Sequence, residues 1–389
     1  MKSKQEFVEF VESVEAGANY QRPLGFSLGL RRRRGEKTLD VYFPHVNWQA
    51  NFGSAAVFWS ILGLQKAENG CHSLSAAQLE KALGMFDPYI NDGGSHPNLD
   101  LLKQLKYCLT GTDASTYSQK DAVIFFLYDG SKAVGSAEEG YFKLQAMSQR
   151  CVKPHAVCMD GVFGALNNLA WTNYGPMLPE DVASERLQSM FREVPLQVSH
   201  VDKFPYLVDY TIPLGVRVTT AHRARLGAYL GEGTTIMPAG YVNFNAGTDG
   251  NVMVEGRISA GVFVGKNSDI GGGASIMGTL SGGNKDVLSI GEKCLLGANA
   301  GAGISLGFGS TIAAGLYVYA GMPIYMFNDK NQPVDLEGNL VEDGQNVVKA
   351  KALSGKEKLL FIQDSRTGRV ICKPNPKTIE LNPELHKDN

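Results

Sequence analysis

The sequence is short of the residues on which much protein chemistry depends. Seven histidines and six cysteines are scattered through 389 residues, with no Cys-x-x-Cys pair and no spacing suited to zinc. Cys71, Cys108, Cys151, Cys158, Cys294 and Cys372 read as free thiols of a reducing compartment, and the isolated His45, His72, His96 and His155 as ordinary surface or core residues. A charge excess is missing as well. The formal net charge is −2 and 20% of residues are charged, which leaves no global basic field for nucleic acid or an acidic membrane. The one basic run, Arg31 to Arg34, lies between two strand-like segments that turn at Gly35, and is expected to be a solvated hairpin tip. No uncharged apolar run reaches the roughly 18 residues of a membrane span without being broken by glycine and polar residues. The opening "MKSKQEFVEFVESVEAG" has no apolar signal-peptide core. These absences point to a soluble, cytoplasmic protein with small-molecule partners, no nucleic acid and no membrane.

What is present is a rhythm. In "VMVEGRISAGVFVGKNSDIGGGAS" an aliphatic residue returns every six positions, at Val252, Ile258, Val264 and Ile270, and then at Ile276. Helices repeat near 3.6 residues and strands near 2. A period of six fits a short strand followed by a sharp corner, the hexapeptide signature of a parallel β-helix. Blocks such as "IMPAGY", "VNFNAG", "IGEKCL", "LGANAG" and "IAAGLY" carry the rhythm through the region from Val216 to Gly321. Three hexapeptides make one triangular coil with first-position side chains stacked inside. Two stretches, "TDGN" (248–251) and "GGNKDVLS" (282–289), break the register and are expected to loop out of the coil.

The predicted fold is mainly β: a left-handed parallel β-helix over residues 206–326, preceded by an α/β domain (1–205) and followed by a C-terminal β cap (327–389). Helices are expected at Phe7–Val14, Ala55–Leu64, Ala76–Leu83, Leu101–Leu105 and Val182–Phe191, with a strand at 121–129. The helix near Pro179 is signalled by proline at its start and acids in its first turn.

The coil region has only one histidine, His222, so a zinc site built from several histidines is excluded. The commonest remaining enzymatic use of such a coil is acyl transfer from a coenzyme A thioester. Counting outward from Val252, period-2 alternation places Met253, Glu255 and Arg257 on one outer wall. A carboxylate and a guanidinium there suit acid–base or nucleophilic work; the plainer alternative is a surface ion pair worth well under ~1 kcal/mol.

The blocks "NFNAGTDGNVMVEGRISAGVFVGKNSDIGGGASIMGTLSGG", "SIGEKCLLGANAGAGISLG" and "AGLYVYAG" strongly resemble the tetrahydrodipicolinate N-succinyltransferases, in particular the branch found in actinobacteria. The resemblance runs from about Asp209 to Gly321 and returns weakly in "KALSGKEKLLF". It implies transfer of succinyl from succinyl-CoA to the amine of tetrahydrodipicolinate in its open-chain form, a step of diaminopimelate and lysine synthesis, by a homotrimer with sites between subunits. It further implies that Glu255 is catalytic, as an acyl-anhydride nucleophile or as a general base. It places succinyl-CoA on Arg257, Gly272, Ser275, Ala298, Ala313, Ala314, Gly321, Lys349 and Ser365. Members of the branch can hold magnesium on the trimer axis with acidic side chains; the matching positions here are His222 and Ala239, so no metal is carried over. The basic pair expected after "LLF" is replaced by Ile362 and Gln363. Two rival readings are another CoA-dependent N-acyltransferase, for example one using an acetyl donor, and a non-catalytic β-helix scaffold.

Overall fold

The computed structural model describes residues 1, 3–90, 96–110, 117–191, 194–280, 286–377 and 381, and the chain divides into two compact units. The first comprises Met1–Val152 and Ala156–Pro205; the second comprises Lys153–His155 and Tyr206–Asn389.

In the first unit, "AVIFFL" is a continuous apolar run because its strand is covered on both faces. Gln119–Leu127 lies inside an antiparallel sheet between Gly25–Arg34 and Gly70–Ser73, and Lys37–Tyr42 pairs on the far side of Gly25–Arg34. Ile124 and Phe126 pack with Phe26 and Leu28 against helices Lys4–Glu15, Phe52–Leu62, Ala76–Ile90 and Pro97–Thr110. On the opposite face Phe125 meets Phe142 at 4.9 Å and Phe43 meets Phe142 at 5.6 Å. Phe142 belongs to a helix absent from the sequence reading, Ala137–Ser148, in which every residue but Glu138 is buried.

The arginine run departs from expectation. The hairpin does turn at Gly35 and Arg34 at its tip is exposed, but Arg31, Arg32 and Arg33 are half-buried and all four guanidiniums have partners. Arg31 binds Asp121 and, at 2.9 Å, Glu138; Arg32 binds Asp40 at 2.6 Å; Arg33 binds Asp121; Arg34 reaches Asp181 at 3.5 Å and lies over the Tyr117 ring. Burial works to raise the Asp121 carboxyl, yet hydrogen bonds and charge from Arg33 and Arg31 outweigh it and hold the group below its ordinary value.

The second unit is the left-handed parallel β-helix. The strands from Arg217 to Tyr319 are two or three residues long and stack in three parallel faces. Face A holds Arg217–Val218, Thr235–Ile236, Met253–Val254, Asp269–Ile270, Leu295–Leu296 and Thr311–Ile312. Face B holds Tyr241–Val242, Arg257–Ile258, Ser275–Ile276, Gly301–Gly303 and Tyr317–Tyr319. Face C holds Ala228–Leu230, Ala246–Thr248, Phe263–Val264 and Ser289–Ile290. The last residue of each two-residue strand points inward, so Ile236, Val242, Val254, Ile258, Val264, Ile270, Ile276, Leu296 and Ile312 form one fully buried stack. At the end of the stack Leu359–Gln363 continues face A, Leu360 beside Thr311 and Phe361 beside Ile312, and pairs with Val370–Pro374. Phe361 and Cys372, both fully buried, close the core at that end.

Two details of register correct the sequence reading. "TDGN" does not leave the coil: Thr248 ends a strand, and Gly250 and Asn251 turn an ordinary corner with positive φ. In the second stretch Gly282–Lys285 lie outside the described residues; beside them Thr279 pairs with Val287 in antiparallel sense, unlike the parallel stacking of the coil. The other correction concerns Val252. It is buried, but it sits one alternation before the strand end, and the residue in register with Ile236 and Ile270 is Val254. From Val254 to Ile258 is four residues rather than six, so this corner is two residues shorter than those above and below it.

Candidate active site

The short corner makes a notch. Between faces A and B the preceding coil spends four residues, Met237 to Gly240, and the following coil four, Gly271 to Ala274; this coil spends only Glu255 and Gly256. The backbone stays paired above and below, with Met237 N donating to Val254 O (2.9 Å), Tyr241 N to Gly256 O (3.0 Å) and Glu255 N to Ile270 O (2.8 Å). The longer neighbouring corners therefore stand out on either side, and half-buried Glu255 is set between them.

Beneath the notch the A/B corners stack into a strip. Gly273 N donates to Glu255 O (3.3 Å), Asn299 N to Gly272 O (2.8 Å) and Gly315 N to Ala298 O (2.8 Å). The predicted residues Gly272, Ala298, Ala313 and Ala314 thus fall in one column below Glu255, with nothing larger than a methyl group at any of them. Packing accounts for some of these small residues and not for others. A Cβ at Gly271 would stand 2.6 Å from Leu296 O, and one at Gly297 would stand 2.5 Å from Ala314 N, so those positions cannot carry a side chain. Gly272 is different: its φ is not positive, and a Cβ there would meet only Glu255 Oε2, at 3.4 Å. What its missing side chain preserves is open space beside the carboxylate. Gly272→Val is expected to fold and assemble while raising the KM for the thioester about tenfold, ~1.4 kcal/mol; unchanged steady-state donor KM would take Gly272 out of the site.

Arg257 and Ser275 are adjacent on the outer face of B, and Arg257 Nη2 donates to Ser275 Oγ at 2.7 Å. The sequence reading put Glu255 and Arg257 on one wall; the structure separates them, Glu255 at the corner and Arg257 on the next face, and no ion pair joins them among the described residues. Ser365 follows the strand Leu359–Gln363 past the same corner, and Ile362 and Gln363 occupy the low end of the strip. Gly321 and Lys349 lie elsewhere. They are neighbours, tied by Ala350 N to Met322 O (2.9 Å) and Lys351 N to Ala320 O (3.0 Å), but they stand at the opposite edge of face B.

At the two positions that the resemblance matches to magnesium ligands, the Ala239 side chain offers no ligand atom and His222 offers a lone imidazole on an exposed corner. Magnesium asks for an octahedron of oxygens, and these two side chains do not fit it.

A carboxylate recessed at the head of a column of glycine and alanine, on a hexapeptide coil, can serve a thioester lying along the strip; fold and site together define a hexapeptide-repeat acyltransferase. Family models for the tetrahydrodipicolinate N-succinyltransferase N-terminal and middle regions match residues 5–164 and 166–206, and the hexapeptide repeat of succinyl-transferase matches 287–320. A 2,3,4,5-tetrahydropyridine-2,6-dicarboxylate N-succinyltransferase of Vibrio cholerae is 42% identical over 94% of this chain and 99% of its own, and one of Pseudomonas putida is 47% identical over 94% and 98%. A Campylobacter jejuni crystal structure bearing the name 2,3,4,5-tetrahydropyridine-2-carboxylate N-succinyltransferase superposes with a TM-score of 0.86 at 34% identity, covering 97% of this chain and 99% of that one. The chain belongs to the tetrahydrodipicolinate N-succinyltransferase family.

Among the described residues no helix is long and apolar enough to cross a membrane, and all six cysteines are free.

Proposed function

We propose that this N-succinyltransferase carries out its reaction at the Glu255 notch, moving succinyl from succinyl-CoA to the amine of tetrahydrodipicolinate in its open-chain form, within diaminopimelate and lysine synthesis. The observation that carries the placement is the recessed carboxylate above Gly272, Ala298, Ala313 and Ala314. A narrow thioester arm can lie against backbone along that strip, which brings its carbonyl to the notch. The amine nitrogen attacks the carbonyl carbon, a C–N bond forms and the C–S bond breaks. As a base, Glu255 takes the proton shed by nitrogen and returns it to the departing thiolate. As a nucleophile, it first forms an anhydride with succinyl, releasing the thiol, and the amine then cleaves that anhydride.

The same reading gives Arg257 and Ser275 to the succinyl end, and Ser365 to the far end of the donor. Gly321 and Lys349 stand across face B from the strip, which supports a site shared between copies: one chain supplies the notch and strip, its neighbour the Gly321–Lys349 edge. A homotrimer closes such a heterologous contact into a ring. We divide the chain functionally into residues 1–205, the acyltransferase coil 206–326 and a cap 327–389, and place the enzyme in the cytoplasm. The test is thiol release from succinyl-CoA with acceptor present, product mass, and light scattering on the same sample. Stoichiometric thiol and a succinylated amine from a three-chain particle are expected. Transfer by an isolated chain at full rate would remove the shared site, and no thiol release would leave only a scaffold.

A further inference from the structure

Face B carries more than Arg257 and Ser275. Ala224 bridges Val242 in parallel sense, which brings Arg223 into the outward row that continues through Tyr241, Arg257 and Ser275. The donor contacts all run from the notch toward later coils, at Gly272, Ala298, Ala313 and Ala314. The acceptor must therefore approach from the side of the earlier coils. Its chemistry is fixed by what the family acts on: an amine that is also a dicarboxylate, seven carbons long, with one carboxylate next to the nitrogen and one at the far end. With the nitrogen at Glu255, the far carboxylate falls toward the earlier coils and needs a cation.

Arg223 stands two rungs from Arg257 in the same row, about 10 Å along the coil at roughly 4.8 Å per rung, a span that a guanidinium and a seven-carbon chain cover between them. Its Nε is buried and has no hydrogen-bond partner among the described residues. The other two arginines of this face already have neighbours on it, Arg225 donating to Asn243 Oδ1 at 3.4 Å and Arg257 to Ser275. A buried guanidinium N–H left unpaired is costly unless something arrives to accept from it, and a carboxylate is the acceptor whose shape matches the fork.

We infer that Arg223 is the specificity residue for the acceptor, binding the carboxylate remote from the reacting amine. The inference rests on the placement of the reaction at Glu255 proposed above. The test uses the assembled enzyme, succinyl-CoA and two acceptors, L-2-aminopimelate and L-2-aminoheptanoate, which differ only by the far carboxylate. Wild type should favour the dicarboxylate in kcat/KM by about 10- to 150-fold, the range for a charge-assisted pair. Arg223→Gln should bring that ratio to within about threefold of unity through the acceptor's KM, with the KM for succinyl-CoA and the particle mass unchanged. Arg223→Met, which keeps the aliphatic stem and its packing, replaces it if the first variant does not assemble. A ratio that survives loss of the guanidinium, or a rise in donor KM instead, overturns the inference while leaving Glu255 in place. Absence of transfer in wild type overturns the proposed function itself, and the inference with it.

Discussion

Glu255→Gln should lose turnover by about 100-fold or more, the scale of a positioned base and less than that of a nucleophile, while still binding succinyl-CoA with nearly wild-type affinity. The amide fills the same space as the carboxylate but can neither accept the amine's proton nor attack a thioester. The fold does not depend on it: Val254 and Ile258, both fully buried, hold the corner, and the short corner is fixed by backbone bonds at Glu255 N and Arg257 N. Steady-state turnover beside calorimetric donor affinity, on protein of unchanged particle mass, measures the effect. If the variant keeps more than about a tenth of wild-type turnover, well inside the usual loss, the notch is not the reaction centre. Acid quenching of wild type with labelled succinyl-CoA separates the two chemistries, since only the nucleophilic route puts label on the Glu255 peptide.

The second large effect concerns the donor. Arg257 has a hydroxyl for its partner on face B, not an acid, so its charge is available to a succinyl carboxylate. A charge-assisted pair of about 2 to 3 kcal/mol amounts to roughly 100-fold in kcat/KM, and succinyl-CoA should exceed acetyl-CoA by that factor. Arg257→Leu should flatten the preference by cutting activity with succinyl-CoA while leaving acetyl transfer almost untouched. A wild-type enzyme indifferent to the two donors would return the chain to the broader class of CoA-dependent N-acyltransferases.

The coil was legible in the sequence because burial sets its period: most strands end on an inward aliphatic residue, and most of these recur at six. The notch was not, and the cause is specific. Val252 and Val254 both point inward, since inward positions in a strand recur every two residues. A count from Val252 to Ile258 therefore returns six and hides a corner that is two residues short. The same alternation put Glu255 and Arg257 on one wall, when the missing residues send the chain round the corner between them. In the first unit Ala137–Ser148 escaped for the opposite reason. A helix buried on all sides, down to Lys143 at 0% exposure, shows no amphipathic stripe. The available signal was local: Ser136 caps the helix and accepts from Glu139 N at 3.2 Å, the spacing of a capping box. The arginine run looked solvated because Asp121, which binds two of its members, lies some ninety positions away in sequence and across the sheet.

The short corner at Glu255 also bears on how such a protein can be stabilised. Solenoids invite consensus redesign, in which each repeat is moved toward the average of its siblings, and that strategy usually raises stability. Here the average corner is two residues longer. A designer who regularised this coil would fill the notch and lift Glu255 out of its recess; with the reaction at Glu255, as proposed above, the product would be a sturdier, more symmetrical and inert prism, because the repeat that deviates is the one that holds the carboxylate.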